Sequence, residues 1–128
     1  SICKTLNYSD MASSVNKVIL VGRLGKDPEI KTFENGVKLC RFSMATTESF
    51  KNKEGEKTEH TEWHQIVLWR NLAKIGEMIL SKGDLIYLEG RIRQRSWTDA
   101  DSNEQKYSFE IVGDELHLLT RKNQDKEE

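Results

Sequence analysis

Apolar residues in this chain recur at every second position along most of its length, and over one stretch, 71–82, at every third or fourth. A period of two puts alternate side chains on opposite faces of a strand; a period near 3.6 gathers them on one side of a helix. The pattern therefore describes strands with a single helix among them. Val15 to Leu24 is dense in Val, Ile and Leu, ends at Gly25 and Asp27-Pro28, and continues weakly through Ile30 toward Asn35-Gly36. Asn-Gly supplies the positive φ angles of a tight hairpin turn, so a second strand is expected from Val37 to Ala45. Its apolar positions slip from 37 and 39 to 40, 42 and 44, which predicts a β-bulge. Phe50 to Glu59, rich in Lys and Glu around Gly55, reads as a loop.

Thr61 to Trp69 is the third strand, with Trp63, Gln65, Val67 and Trp69 on one face and His64, Ile66 and Leu68 on the other. Asn71 to Lys82 is the helix: Leu72, Ile75, Ile79 and Met78 form its stripe, Asn71 can cap its start, and Gly83 suits its C-terminal turn. Asp84 to Trp97 returns to period two, with Ile86, Leu88 and Ile92 opposite Tyr87, Glu89, Arg91, Arg93, Arg95 and Trp97. Thr98 to Gln105 is a hairpin tip, and Tyr107 to Leu119 a last strand interrupted at Gly113-Asp114. Five strands with one helix between the third and fourth is the order of an OB-fold, an all-β, five-stranded Greek-key barrel whose face and loops bind oligonucleotides or oligosaccharides. The barrel is expected over residues 13–120. Residues 1–12 form an N-terminal extension and 121–128 a charged end, both expected to be disordered.

At 128 residues, 31 of them Leu, Ile, Val or Phe, the chain suits one domain with a sizeable core. Its 20 basic and 21 acidic residues exclude uniform cationic coating of a polyanion. They are unevenly spread. Residues 11–97 carry +4 and residues 98–128 carry −5, so any anion site is a local patch. Two cysteines, Cys3 and Cys40, make neither a disulfide framework nor a metal quartet, which points to a reducing compartment. No apolar run is long enough to span a membrane as a helix. The ten residues before Met11 read as a cloning remnant, a processed extension or a mis-set start.

Arg91, Arg93, Arg95 and Trp97 share one face of one strand, three guanidinium groups followed by an indole. Sequence-tolerant binding of single strands needs cations along the phosphates and flat rings under the bases, because every base has a π-face while its hydrogen-bonding edge varies. Trp63 and Trp69 add two rings, more than the core of a small barrel usually needs. The competing readings are tryptophans packed in the barrel and arginines merely solvated. His60-Thr61-Glu62-Trp63-His64 invites a zinc reading, but on a strand the two imidazoles stand roughly 13 Å apart, too far to share one ion. The zinc-deaminase signature opens with His-x-Glu, yet its Pro-Cys-x-x-Cys partner is missing. Gly22-x-x-Gly25 has no following helix to present to a phosphate and reads as relief of crowding at a barrel bend. Cys40 reads as an inert apolar residue. No catalytic residues, metal ligands or cofactor emerge. The alternatives to a strand-binding protein are an OB-fold replisome or primosome adaptor acting through protein contacts, and a metal-dependent hydrolase, which fails on ligand geometry.

The run from Met11 to Glu29, Met-Ala-Ser-Ser-Val-Asn-Lys-Val-Ile-Leu-Val-Gly-Arg-Leu-Gly-Lys-Asp-Pro-Glu, resembles the opening of bacterial-type single-stranded DNA-binding proteins. The resemblance continues through Ala45 to Phe50, Thr61 to His64, Lys82-Gly83, Tyr87 to Gly90 and Trp97 to Asp99, and covers Met11 to about Lys122. It implies an OB barrel assembled as a homotetramer that binds single-stranded DNA during replication, recombination and repair, in the cytoplasm at the nucleoid, or in an organelle for a eukaryotic short form. It implies stacking by Trp63 and Trp97, with Phe50 where a tryptophan is common and Trp69 where a phenylalanine is common. Lys53, Lys82, Arg93 and Arg95 match phosphate-contacting positions, Phe33 a position that is often Tyr, and His64 a histidine near the subunit interface. Gln65, Asn71 and Ser96 stand where some members are basic, whereas Arg70 and Arg91 are basic where those members are not. Cellular members usually end in an acidic tip with Pro-Phe that recruits replication and repair proteins. This sequence ends at Asn123 to Glu128 without that tip, as in a truncated chain or a short form.

Overall fold

A computed structural model describes residues 13–122. Residues 1–12, Cys3 among them, and residues 123–128 lie outside the described part, as do the expectations that fell on them. The elements run β1 (Val18–Leu24), β2 (Glu29–Thr32), β3 (Lys38–Lys51), β4 (Lys57–Trp69), α1 (Arg70–Ile79), β5 (Leu85–Thr98) and β6 (Gln105–Thr120). β1 pairs with β5, β5 with β6, β6 with β4, β4 with β3, and β3 returns to β1. That ring is a closed five-stranded barrel with α1 between its third and fourth strands, the OB-fold expected from the sequence. The short β2 continues the first barrel strand and pairs only with β3.

The barrel interior is filled by Leu24, Phe42, Met44, Ile66, Leu68, Ile86, Leu88 and Ile111. These are the inward positions of the alternating runs. Strand faces meet closely where residues are small. A side chain on Gly22 would overlap the carbonyl oxygen of Ala45, and one on Gly90 the carbonyl oxygen of Val112. α1 packs against the barrel through Ala73 and Gly76; a Cβ on Gly76 would press on Leu68 and the Cys40 thiol.

Several local expectations are corrected. The helix starts at Arg70, its N-cap is Trp69, and no side chain caps it. The last residue of β4 passes directly into the helix through Arg70 at φ 59°, so Asn71 already lies inside the first turn. Ile75 and Met78 of the predicted stripe face solvent, because the close approach is made by Ala73, Gly76 and Leu80. Gly83 sits beyond the helix, in a turn where Asp84 Oδ2 accepts from the Ser81 backbone N–H at 3.0 Å. The Asn35-Gly36 hairpin forms with positive φ at Gly36 and not at Asn35; the Gly36 N–H donates to the Phe33 carbonyl, so the turn is the three-residue kind.

No bulge interrupts β3, whose register with β4 is continuous from Leu39↔Trp69 to Lys51↔Lys57. Its phase slip has another cause: Leu39 is buried on the outward side of the sheet and Cys40 on the inward side, so both faces are apolar there. The register shifts fall between β5 and β6, at Leu85/Ile86 and Glu89/Gly90. The interruption expected at Gly113-Asp114 is the second of these, with Asp114 as the extra residue. The segment 50–59 is also not a loop. β3 and β4 remain paired to Lys51↔Lys57 around a turn at Asn52–Glu56, and the sequence there is polar because both faces of the hairpin are in water.

Beyond Gly90, every residue of β5 is exposed while its pairing with β6 continues to Thr98↔Gln105. The two strands leave the barrel as a projecting arm, which is why Ile92, on the same face of β5 as the buried Ile86 and Leu88, is half exposed. The strand expected from Val15 begins at Val18. Ahead of it, the Asn16 side-chain amide bonds the Ile92 backbone in both directions, at 2.8 and 3.0 Å, and ties the chain to the root of the arm. Gly22→Ala is expected to lower stability by about 1–3 kcal/mol in urea denaturation, because the added methyl meets backbone that cannot rotate away.

Candidate nucleic-acid interface

Side chains of paired residues project from the same sheet face. Val67 on β4 pairs with Val112 on β6, and Val112 with Arg91 on β5. Trp63, Gln65, Val67 and Trp69 therefore share one continuous outward face with Arg91, Arg93, Arg95 and Trp97. Both series are spaced by two within their strands, and the parallel β4–β6 pairing puts them in phase. Across from β4, the same face carries Leu39, Arg41, Ser43 and Ala45 of β3. Leu39, Val67 and Val112 are buried and form an apolar floor.

An open groove of about 630 Å³ lies over this floor, lined by Phe33, Asn35, Trp69, Arg70, Arg91, Arg93 and Asp114 among others. Phe33, on the β2–β3 turn, stacks near-parallel to Trp69, with ring centroids 6.0 Å apart and planes 17° apart. The Lys31 ammonium stands 4.9 Å from the Phe33 centroid. The Arg93 guanidinium lies 6.0 Å from the Trp69 centroid and that of Arg95 lies 5.4 Å from the Trp97 centroid, both within cation-π range. The Trp69 indole N–H is buried and meets no acceptor among the described residues.

The three arginines are not equivalent. Arg91 is ion-paired to Asp114 at 2.5 Å, with both side chains about half exposed. Arg93 is paired at 2.6 Å to Glu110, which is buried. Arg95 has no carboxylate partner among the described residues and lies against Trp97. The alternation in the sequence shows the three cations but not the acids that β6 sets opposite two of them.

The remaining predicted residues are more scattered. Trp63 is 57% exposed, and its ring edge rests over Gly25, where a Cβ would overlap it. Phe50 is exposed on the β3–β4 hairpin, but its parity places it on the opposite face of that hairpin from Trp63 and Trp69. Lys53 occupies the turn of the same hairpin. Lys82 lies in the turn ahead of β5, and its backbone N–H donates to Asp27 at 2.8 Å. His64 points away from the outward face, and its Nε2 is 2.8 Å from the Thr46 hydroxyl. The structure thus brings Phe33, Trp69, Arg91 and Arg93 together in the groove, with Arg95 and Trp97 further out along the arm and Trp63 further along β4 on the same face, whereas Phe50 is on the opposite face of its hairpin and Lys53 and Lys82 are in turns.

Sequence reasoning missed Arg41 and Lys26. Arg41 shares the outward face beside Val67, a position that the alternation of β3 would have shown once its register was known. Lys26 lines a small hollow beneath Trp63 with Ser43 and Gln65, and only the fold brings it there. His60 and Glu62 bond each other at 2.6 Å, which raises the imidazole pKa and lowers that of the carboxyl. Among the described residues, no three His, Cys, Asp or Glu side chains cluster to hold a metal, and no helix is long and apolar enough to cross a membrane. Burial, reinforced by the Glu77 carboxylate, pushes the Cys40 thiol up to about 11. The thiolate is the reactive form, so Cys40 in the native protein should escape iodoacetamide at pH 8, as read by peptide mapping, and react once the chain is unfolded.

A closed barrel whose outward sheet and one hairpin carry indole rings and guanidinium groups in alternation defines an OB-fold of the oligonucleotide-binding type. The comparisons with known proteins then narrow the class. The chain belongs to the single-strand binding protein family, whose sequence model matches residues 15–119. Single-stranded DNA-binding proteins of two Neisseria meningitidis strains are 45% identical over 111 residues, 87% of this chain and 63% of theirs. Single-stranded DNA-binding protein 1 of Chlorobaculum tepidum is 44% identical over 112 residues, covering 88% of this chain and 69% of its own. The chain thus spans under two thirds of the Neisseria proteins' length. Among solved structures, the Plasmodium falciparum SSB in complex with ssDNA superposes with a TM-score of 0.72 at 34% identity, covering 84% of this chain and 96% of its own. A deletion mutant of the single-stranded DNA binding protein from Thermus aquaticus gives 0.73 at 26% identity, over 88% of this chain and 54% of its own.

Proposed function

We propose that this protein binds single-stranded DNA with little sequence preference and without catalysis, protecting unpaired strands during replication, recombination and repair. The observation that carries the reading is the single outward face on which Trp63, Trp69, Arg91, Arg93, Arg95 and Trp97 stand together. Stacking on such rings contributes about 1–3 kcal/mol per base and tolerates any base, a magnitude measured in proteins of this family among others. Stacked bases cannot pair, so binding draws strands out of duplex by mass action. The relatives' printed names and the DNA-bound Plasmodium falciparum structure support the same ligand. Poly(dT) is expected to quench tryptophan fluorescence; absence of quenching at low salt would refute the assignment. Arg95→Ala should lower the salt dependence of binding by about 0.7 in log–log slope, the contribution of one phosphate contact on a single strand. Arg91→Ala should change it less, because Asp114 already neutralises that guanidinium.

The assembly belongs to the same proposal. A homotetramer, with His64 near a subunit contact, accounts for apolar residues left in water on β1 and β6: Ile19, Val21 and Leu119 are each about half exposed. Sedimentation velocity of the full chain is expected to give four times the chain mass of 14.8 kDa; a monomer at micromolar concentration would exclude the tetramer.

A further inference from the structure

Glu110 is a carboxylate opposite Arg93 on the face proposed to hold a polyanion, where it lines a hollow with Trp63 and Gln65, and by charge alone it should weaken binding. It is 6% exposed, and its cross-strand partner is Arg93. An ionised carboxylate so far from water must be paired, and the 2.6 Å contact from Arg93 Nη2 to Glu110 Oε1 does this. The same guanidinium lies 6.0 Å from the centroid of Trp69, which in turn stacks with Phe33. Carboxylate, guanidinium and indole therefore form a chain of contacts, anchored at the buried end and open at the groove. The other acid on this face, Asp114, is half exposed and sits at the bulge, so it imposes no comparable anchorage on Arg91.

We infer that Glu110 is a positioning residue for single-strand binding: it fixes the Arg93 guanidinium beside the Trp69 ring, so that Arg93 serves as part of a flat stacking surface more than as a phosphate-seeking cation. The planar guanidinium suits this, since it can bond a carboxylate along one edge and still offer its face to a ring or a base; a lysine ammonium cannot. Arg95, which has no such anchor, is left as the mobile cation of the arm. The inference rests on the proposed single-strand reading and refines its central subsite.

The test compares the full-length wild type with Glu110→Asp, Glu110→Gln and Arg93→Lys, by titration with an oligo(dT) over a series of salt concentrations. Glu110→Asp keeps every charge and shortens the anchor by one methylene. If Glu110 acts only through its charge, Glu110→Asp binds like the wild type, and Glu110→Gln binds more tightly with a steeper salt slope. If it positions Arg93, all three variants lose affinity about tenfold, the size of one coupled contact. The loss persists at high salt with the slope nearly unchanged, and Glu110→Asp combined with Arg93→Lys loses little more than either alone. Thermal melts identify any variant that fails to fold. Arg93→Lys, which leaves Glu110 neutralised, carries the test if the Glu110 variants do not fold. Emission from Trp69 as the sole tryptophan, with Trp63 and Trp97 changed to Phe, should shift on Glu110→Asp in the free protein. Wild-type affinity in Glu110→Asp, or tighter binding by Glu110→Gln, overturns the inference. Failure of the wild type itself to bind oligo(dT) would instead overturn the single-strand reading.

Discussion

The parallel pairing of β4 with β6, through Ile66↔Ile111 and Val67↔Val112, is the contact on which the rest of the molecule depends. Every other ladder is antiparallel, several of them between neighbouring strands. This one joins segments some 45 residues apart in the chain and closes the β3–β4 hairpin onto the β5–β6 hairpin. It buries Ile66 and Ile111 inside. Because the period of a strand is two, the same register puts Val67 and Val112 outside and brings the tryptophans of one hairpin into phase with the arginines of the other. A slip by one residue would turn one series into the core and leave no common face.

Closure also explains the irregularities. A barrel of few strands must bend sharply, and it does so where side chains are smallest or a residue is added. Gly22 lets β1 cross β3, and Gly90 and Gly113 meet where Asp114 is extra in β6. The second bend has a consequence for the binding face. Beyond it the β5–β6 ladder leaves the barrel, so Arg93, Arg95 and Trp97 stand on an arm wetted on both sides, with Tyr107 and Phe109 exposed on its reverse. Glu110, at the root of that arm, is the first residue of the buried stretch of β6, which is why its pairing with Arg93 is anchored while the outer part of the arm is exposed.

Period and punctuation made much of this legible in the sequence. The alternation in Thr61 to Trp69 and in Arg91 to Trp97 shows which side chains travel together, and the single helical stretch fixes the element order. The misreadings have physical causes. Polarity in 50–59 reads as a loop because a hairpin with both faces in water has no apolar side to mark its period. The slip at Leu39 and Cys40 mimicked a bulge because a strand lying over a core and under a groove is apolar on both faces. Ile92 alternates in phase with Ile86 and Leu88 yet is half exposed, because local alternation cannot show where a strand outruns its barrel.

By itself, the sequence determined the strand-strand-strand-helix-strand-strand order, the inward set from Phe42 to Leu88, and the grouping of rings and cations within each strand, since all of these follow from local periodicity. Only the tertiary structure decided that the two groups share one face, that Phe50 is turned away from it, and that Arg91 and Arg93 are paired with carboxylates while Arg95 meets none among the described residues. Those outcomes depend on register between distant strands, which local sequence does not encode. They also depend on burial, which turns Glu110 from one more acid in an acidic segment into the anchor of the central arginine.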